Sequence, residues 1–136
     1  MNEAAIPNDA QQMSDDEVRW RLLVSAAEDY EPLFKALWEF GVPAHPRPGA
    51  PTADEIKTAL WKLVDQGLVD LFHGVDDNDD FLPVSPERRR EVFQDPKSWE
   101  ILEDPTVDVR YSSTPAGDAA VANRPAGLPE ITWDAY

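Results

Sequence analysis

The sequence predicts an α+β fold, mainly α: three helices in the N-terminal half, then strands separated by a long excursion that holds an extra short helix. Three observations carry this reading. Ser14-Asp15-Asp16-Glu17 and Thr52-Ala53-Asp54-Glu55 are capping boxes, each opening an apolar pattern of helical period. Gly41 and Gly67 stand where two of the helices should stop. Val107-Asp108-Val109-Arg110-Tyr111 alternates apolar and polar with period two, as a half-buried strand does.

In chain order, residues 1–13 are polar and patternless and read as a mobile arm ahead of a domain spanning 14–121. The first helix carries Val18, Leu22 and Ala26 on one stripe, with Trp20, Leu23, Val24 and Ala27 beside it, so it should be central to the core. It should end around Asp29–Glu31, because Pro32 disfavours helix at the residue before it. Pro32 then suits the first turn of a short second helix whose buried face is Leu33, Phe34, Leu37 and Trp38. The linker 42–51 holds Pro43, Pro46, Pro48 and Pro51 and should be extended and stiff.

Ile56, Ala59, Leu60, Leu63 and Val64 fall at i, i+3, i+4, i+7 and i+8, an amphipathic third helix. Leu68–His73 is rich in strand formers. Phe81-Leu82-Pro83-Val84 suits a short edge strand, and Ser85-Pro86-Glu87 a cap for a helix through Phe93 that Pro96 stops. Asp95–Pro105 reads as an ordered loop anchored by Trp99, and Thr114–Val121 as a last helical turn or two. Residues 122–136 read as a flexible tail.

Composition limits function more than it reveals it. The 136 residues suffice for one self-sufficient core, and 42% are hydrophobic. The net charge of -15, with a pI near 4.3, repels nucleic acid and anionic lipid at long range. The absence of cysteine excludes disulfides, thiolate metal sites and cysteine nucleophiles together. Met1–Pro7 shows neither a basic leader nor an apolar core of a leader. No apolar run nears the roughly 18 residues that cross a bilayer. A cytoplasmic location away from membranes is therefore expected.

Leu60-Trp61-Lys62-Leu63-Val64-Asp65-Gln66-Gly67-Leu68-Val69 resembles the passage from recognition helix to wing in bacterial winged helix-turn-helix regulators, including the MarR-like and PadR-like groups. Tyr111-Ser112-Ser113-Thr114-Pro115-Ala116-Gly117 is similar to the passage that often closes their wing. The resemblance implies a winged helix-turn-helix fold with a long, elaborated wing, and it implies DNA reading by the start of the third helix. Ala53, Asp54, Lys57 and Thr58 would form the exposed reading face. Here charge opposes the family's function. From Thr52 to Asp80 eight carboxylates face only Lys57 and Lys62, a net of -6. Duplex affinity comes largely from neutralising phosphates, and this stretch would add to the repulsion.

Other constellations weigh less. Asp76, Asn78, Asp80 and Glu87 fall at ligand positions of a calcium-binding helix–loop–helix, but Phe81 stands where that loop needs glycine and no helix precedes it. His45 and His73 are isolated. No phosphate-cradling glycine loop or nucleophile elbow is present, so neither a cofactor nor an enzyme is expected. Arg88-Arg89-Arg90 is the only basic cluster; it could grip an acidic group or pair with nearby carboxylates. Trp20, Trp38 and Trp99 suit core or anchoring roles. Trp61 lies at the edge of the third helix's apolar stripe, and Trp133 in the tail suits a docking peptide.

The function expected from the sequence is therefore protein–protein interaction with a basic partner. Asp54, Glu55, Thr58, Asp76, Asp77, Asp79, Asp80, Arg88, Arg89 and Arg90 are the candidate contacts. Immunity, antitoxin, anti-repressor and DNA-mimic proteins all belong to this class. The alternative is a DNA-binding winged-helix regulator, working as a homodimer paired through its first helix or terminal elements.

Overall fold

The computed structural model describes residues 12–75, 80–101 and 108–128. Within them a helical layer packs on one face of a four-stranded antiparallel sheet. The elements are α1 (Asp15–Glu28), β1 (Glu31–Pro32), α2 (Phe34–Trp38), α3 (Ala53–Asp65), β2 (Val69–Val75), β3 (Phe81–Pro83), α4 (Arg89–Gln94), a 3₁₀ turn (Pro96–Trp99), β4 (Val109–Ser113) and α5 (Pro115–Ala122). The α+β class and the order of the larger elements agree with the sequence reading. The sheet order is β1-β4-β2-β3, so β2 and β4, separated by the long excursion, are central neighbours.

Both predicted caps start helices, by different means. At α3 the box is complete: the Thr52 hydroxyl accepts from the Glu55 amide at 3.2 Å, and the Glu55 carboxylate accepts from the Thr52 amide at 2.8 Å. At α1 the Ser14 hydroxyl accepts from the Glu17 amide at 3.1 Å, but the Glu17 carboxylate turns to Arg21 at 3.0 Å. An ion pair one turn along satisfies that carboxylate instead.

Val18, Leu22, Leu23 and Ala26 of α1 meet Ile56, Ala59, Leu60, Leu63 and Val64 of α3 in one buried cluster with Val69, Leu71 and Tyr111 of the sheet. All five expected apolar positions of α3 are buried. The Tyr111 hydroxyl lies 3.1 Å from the Ser25 hydroxyl, which joins α1 to β4 by a buried hydrogen bond. Ser112 donates to the Ala26 carbonyl at 3.3 Å beside it.

Four details depart from the sequence reading. Pro32 does not open a helix; it lies in β1, opposite Arg110 of β4, a position whose missing amide proton suits a sheet edge. The buried face of α2 is Leu33, Ala36 and Phe40, because the turn after this five-residue helix swings Phe40 into the core. Trp38 is instead 49% exposed, its ring edge-on to Phe34 at 4.8 Å. The proline-bearing linker folds into hydrogen-bonded turns rather than an extended strap: His45 donates to Gly41 at 2.8 Å, Arg47 to Phe40 at 2.9 Å and Ala50 to Arg47 at 2.9 Å. Finally, β4 runs Val109–Ser113, two residues past the expected end at Tyr111, while Val107 lies outside the described residues. Its register is set by Val69 opposite Ser113 and Leu71 opposite Tyr111. Pro125 and Leu128 line a cleft with Trp20, Leu23 and Leu68, while residues 129–136 of the expected tail, Trp133 among them, lie outside the described residues.

Partial burial pushes the Glu31 carboxyl above its ordinary value near 4.5, with Asp29 and Glu28 adding to the rise and Lys35 and Arg110 opposing it. The folded chain therefore binds a proton at Glu31 more tightly than the unfolded chain does. Stability from this group is full below the ordinary value and is lost as pH rises through the raised folded value. Replacing Glu31 with glutamine should raise the melting temperature at pH 7, and the gain should vanish in melts run below about pH 4.5.

Candidate functional site: the outward faces of the third helix

The site is built on α3, because its capping box places two carboxylates in its first turn while its apolar stripe holds the opposite face in the core. Asp54, Glu55 and Thr58 are all exposed. Along one flank they meet the start of α1. Asp15, Val18 and Arg19 of α1 and Asp54, Glu55 and Thr58 of α3 line a shared cleft of about 290 Å³. Arg19 is ion-paired with Asp16, so the rim keeps the carboxylates of Asp15, Asp54 and Glu55 against the single ammonium of Lys62. One Glu55 oxygen is held by the cap, yet the charge stays on an exposed residue. Carboxylates at helix starts are themselves stabilised by the helix dipole, so the fold tolerates this concentration of charge.

The other flank is covered. Side chains of α4 and the 3₁₀ turn pack against it, with Phe93 5.3 Å from the Trp61 ring and 5.2 Å from the Trp99 ring. Arg90 lies over Trp61 at 4.8 Å, and Lys57 over Trp99 at 4.9 Å. The Trp99 indole donates to the Phe93 carbonyl at 2.8 Å, Ser98 donates to the Val92 carbonyl at 2.7 Å, and Asp95 caps the turn through the Lys97 amide at 3.0 Å. Trp99 is thus the anchor the sequence suggested.

The other candidate contacts are dispersed. Asp76, Asp77 and Asp79 lie outside the described residues, while Asp80 is exposed just before β3. The arginine triplet is no single patch. Arg88 pairs with Glu91 at 3.2 Å, Arg89 reaches Asp70 of β2 at 3.2 Å, and Arg90 turns to Trp61. The expected cap at Ser85 is also absent: Ser85–Arg88 forms a turn, closed by the Arg88 amide on the Ser85 carbonyl at 3.0 Å, and α4 begins without a side-chain cap. Sequence reasoning missed Asp15, whose place beside α3 follows from helix packing and not from spacing. It also missed that Lys57, Trp61 and Trp99 share one groove.

Among the described residues no group of three His, Cys, Asp or Glu side chains could hold a metal ion, and no helix is long and apolar enough to cross a membrane. No protein-family model, curated protein or solved structure matches the chain. The functional reading therefore rests on the geometry of α3.

Proposed function

We propose that this chain is an acidic winged-helix protein that acts by binding a basic protein partner, in the manner of immunity, antitoxin, anti-repressor or DNA-mimic proteins. The observation that carries this reading is the state of α3's two flanks. One presents Asp15, Asp54 and Glu55 together, and the other is occupied by α4 and the 3₁₀ turn through Phe93, Trp61 and Trp99. A helix that reads DNA must enter a major groove about 12 Å wide and offer cations to phosphate. A helix whose side is packed by the side chains of α4 and the 3₁₀ turn, with carboxylates at its leading end, suits neither requirement. The winged-helix part of the proposal is supported by α3 leading directly into β2, and by the pairing of β2 with β4 across the excursion.

The test is capture from a lysate of the source cell on the immobilised chain, eluted with a salt gradient. Basic proteins should be retained and released by salt, and a chain carrying Asp54→Asn and Glu55→Gln should retain less of them. Glutamine at position 55 preserves the capping box, so the comparison leaves the helix start intact. Unchanged retention, or retention of acidic proteins alone, would overturn the proposal.

A further inference from the structure

The flank of α3 covered by α4 leaves an open groove of about 380 Å³, with Trp61, Phe93 and Trp99 in its wall and Lys57, Thr58 and Arg90 around it. Its charge is unlike the rest of the molecule. Carboxylates outnumber cations 27 to 12 in this chain. Arg19, Arg21, Lys35, Arg88, Arg89 and Arg110 all hold one. Among the described residues Lys57 and Arg90 hold none: each lies over an indole ring facing the groove. They come from different elements, α3 and α4, and converge on one opening where, among the described residues, Asp54 is the sole carboxylate.

A cation resting on an aromatic face in partial exposure keeps most of its charge available, since the ring contact is worth only about 0.5–1 kcal/mol. The groove thus offers two cations, without an ion pair among the described residues, above an aromatic wall. Its complement is an anion attached to a flat apolar group.

We infer that this groove docks an acidic linear peptide of a partner protein, one that places a Trp or Tyr side chain beside Asp or Glu residues. The aromatic side chain packs against Trp61, and the flanking carboxylates meet Lys57 and Arg90. This surface borders the Asp15–Asp54–Glu55 flank, with Asp54 and Thr58 on the edge they share, but takes a ligand of opposite charge through Lys57, Arg90 and the aromatic wall, so its failure would leave the basic-partner reading standing.

The probe is a fluorescein-labelled peptide, Glu-Asp-Glu-Trp-Glu-Asp-Glu, titrated with the full chain at low salt. Saturable binding is expected. Lys57→Gln with Arg90→Gln should weaken it roughly five- to tenfold, as two partly exposed charge pairs imply. Lys35→Gln with Arg124→Gln changes net charge equally away from the groove and should weaken it less than about twofold. Replacing the peptide's acids by their amides, or its Trp by Ala, should each reduce binding. Circular dichroism establishes that the variants are folded. No binding at millimolar peptide, equal losses in the two double variants, or equal binding of the amide peptide would overturn the inference. Tighter displacement by a single-stranded oligonucleotide would reassign the groove to nucleic acid and overturn it as well.

Discussion

Replacing Gly41 with alanine should destabilise the chain by about 3 kcal/mol, read as a fall in urea midpoint without a change in slope. Gly41 stands in the turn after α2 at φ +75°, in the left-handed region that side chains rarely adopt. A Cβ there would lie 2.0 Å from the His45 carbonyl oxygen and 2.8 Å from its carbon. Both are backbone atoms and cannot rotate away. The left-handed conformation alone costs about 1 kcal/mol for a residue with a Cβ, and the overlap adds about 1–3. The same turn brings Phe40, fully buried, into the core and starts the linker toward Thr52. Strain here therefore displaces the start of α3 as well. Gly67 supplies the comparison: it has φ +78°, but nothing lies within 4 Å of its added Cβ. Gly67→Ala should cost about 1 kcal/mol, the conformational part alone. Equal losses at the two positions would show that the clash at Gly41 is absorbed by movement of the linker.

Neutralising Asp15, Asp54 and Glu55 together, as Asp15→Asn, Asp54→Asn and Glu55→Gln, should slow association with the proposed basic partner by about tenfold or more at low salt. The mechanism is steering. Three carboxylates on one cleft rim raise the local concentration of a cationic surface before contact, and charge removal acts mainly on the association rate. At 1 M salt the screening length falls to about 3 Å, so the wild-type and neutralised rates should converge. Dissociation should change less. Stopped-flow association with the captured partner across a salt series measures all three. The substitutions also remove carboxylates from two helix starts, each worth about 0.3–1 kcal/mol. A melting curve of the variant checks that it remains folded. A rate gap that persists at high salt would mean that these residues act by close contact rather than by steering.

Local chemistry made much of this fold legible before any coordinates. The Thr52–Glu55 box, the Ile56–Val64 stripe and the Gly67 stop define α3 by hydrogen bonds and periodicity within a few residues of one another. The same holds for Thr114, whose hydroxyl accepts from the Gly117 amide at 3.1 Å to start α5. Reading failed where an element owes its form to a distant partner. Pro32 looks like a helix start from its neighbours, but β4 draws it into a strand. Trp38 looks like core because it is large and follows the spacing of α2. The helix is too short to bury two faces, and Phe40 takes the inner position.

The candidate site divides in the same way. Asp54 and Glu55 were visible as first-turn carboxylates. That Asp15 stands across the cleft from them depends on how α1 packs on α3, which periodicity does not encode. Arg88-Arg89-Arg90 looked like one basic patch because the residues are consecutive. Successive residues of a turn and helix point in different directions, and these three end on Glu91, Asp70 and Trp61. The aromatic groove combines residues 57, 61 and 90–99, a juxtaposition only tertiary packing creates.

A fluorescence-anisotropy titration of the full chain against a labelled mixed-sequence duplex at low salt tests the central claim most directly. Low salt favours every electrostatic mode, and even non-specific DNA binders saturate a duplex there at micromolar concentrations. The acidic flank and occupied side of α3 predict no rise in anisotropy through about 10 μM protein. Saturable binding in that range, weakened by Lys57→Gln or Lys62→Gln and lost as salt increases, would instead make α3 a DNA-reading helix and contradict the account.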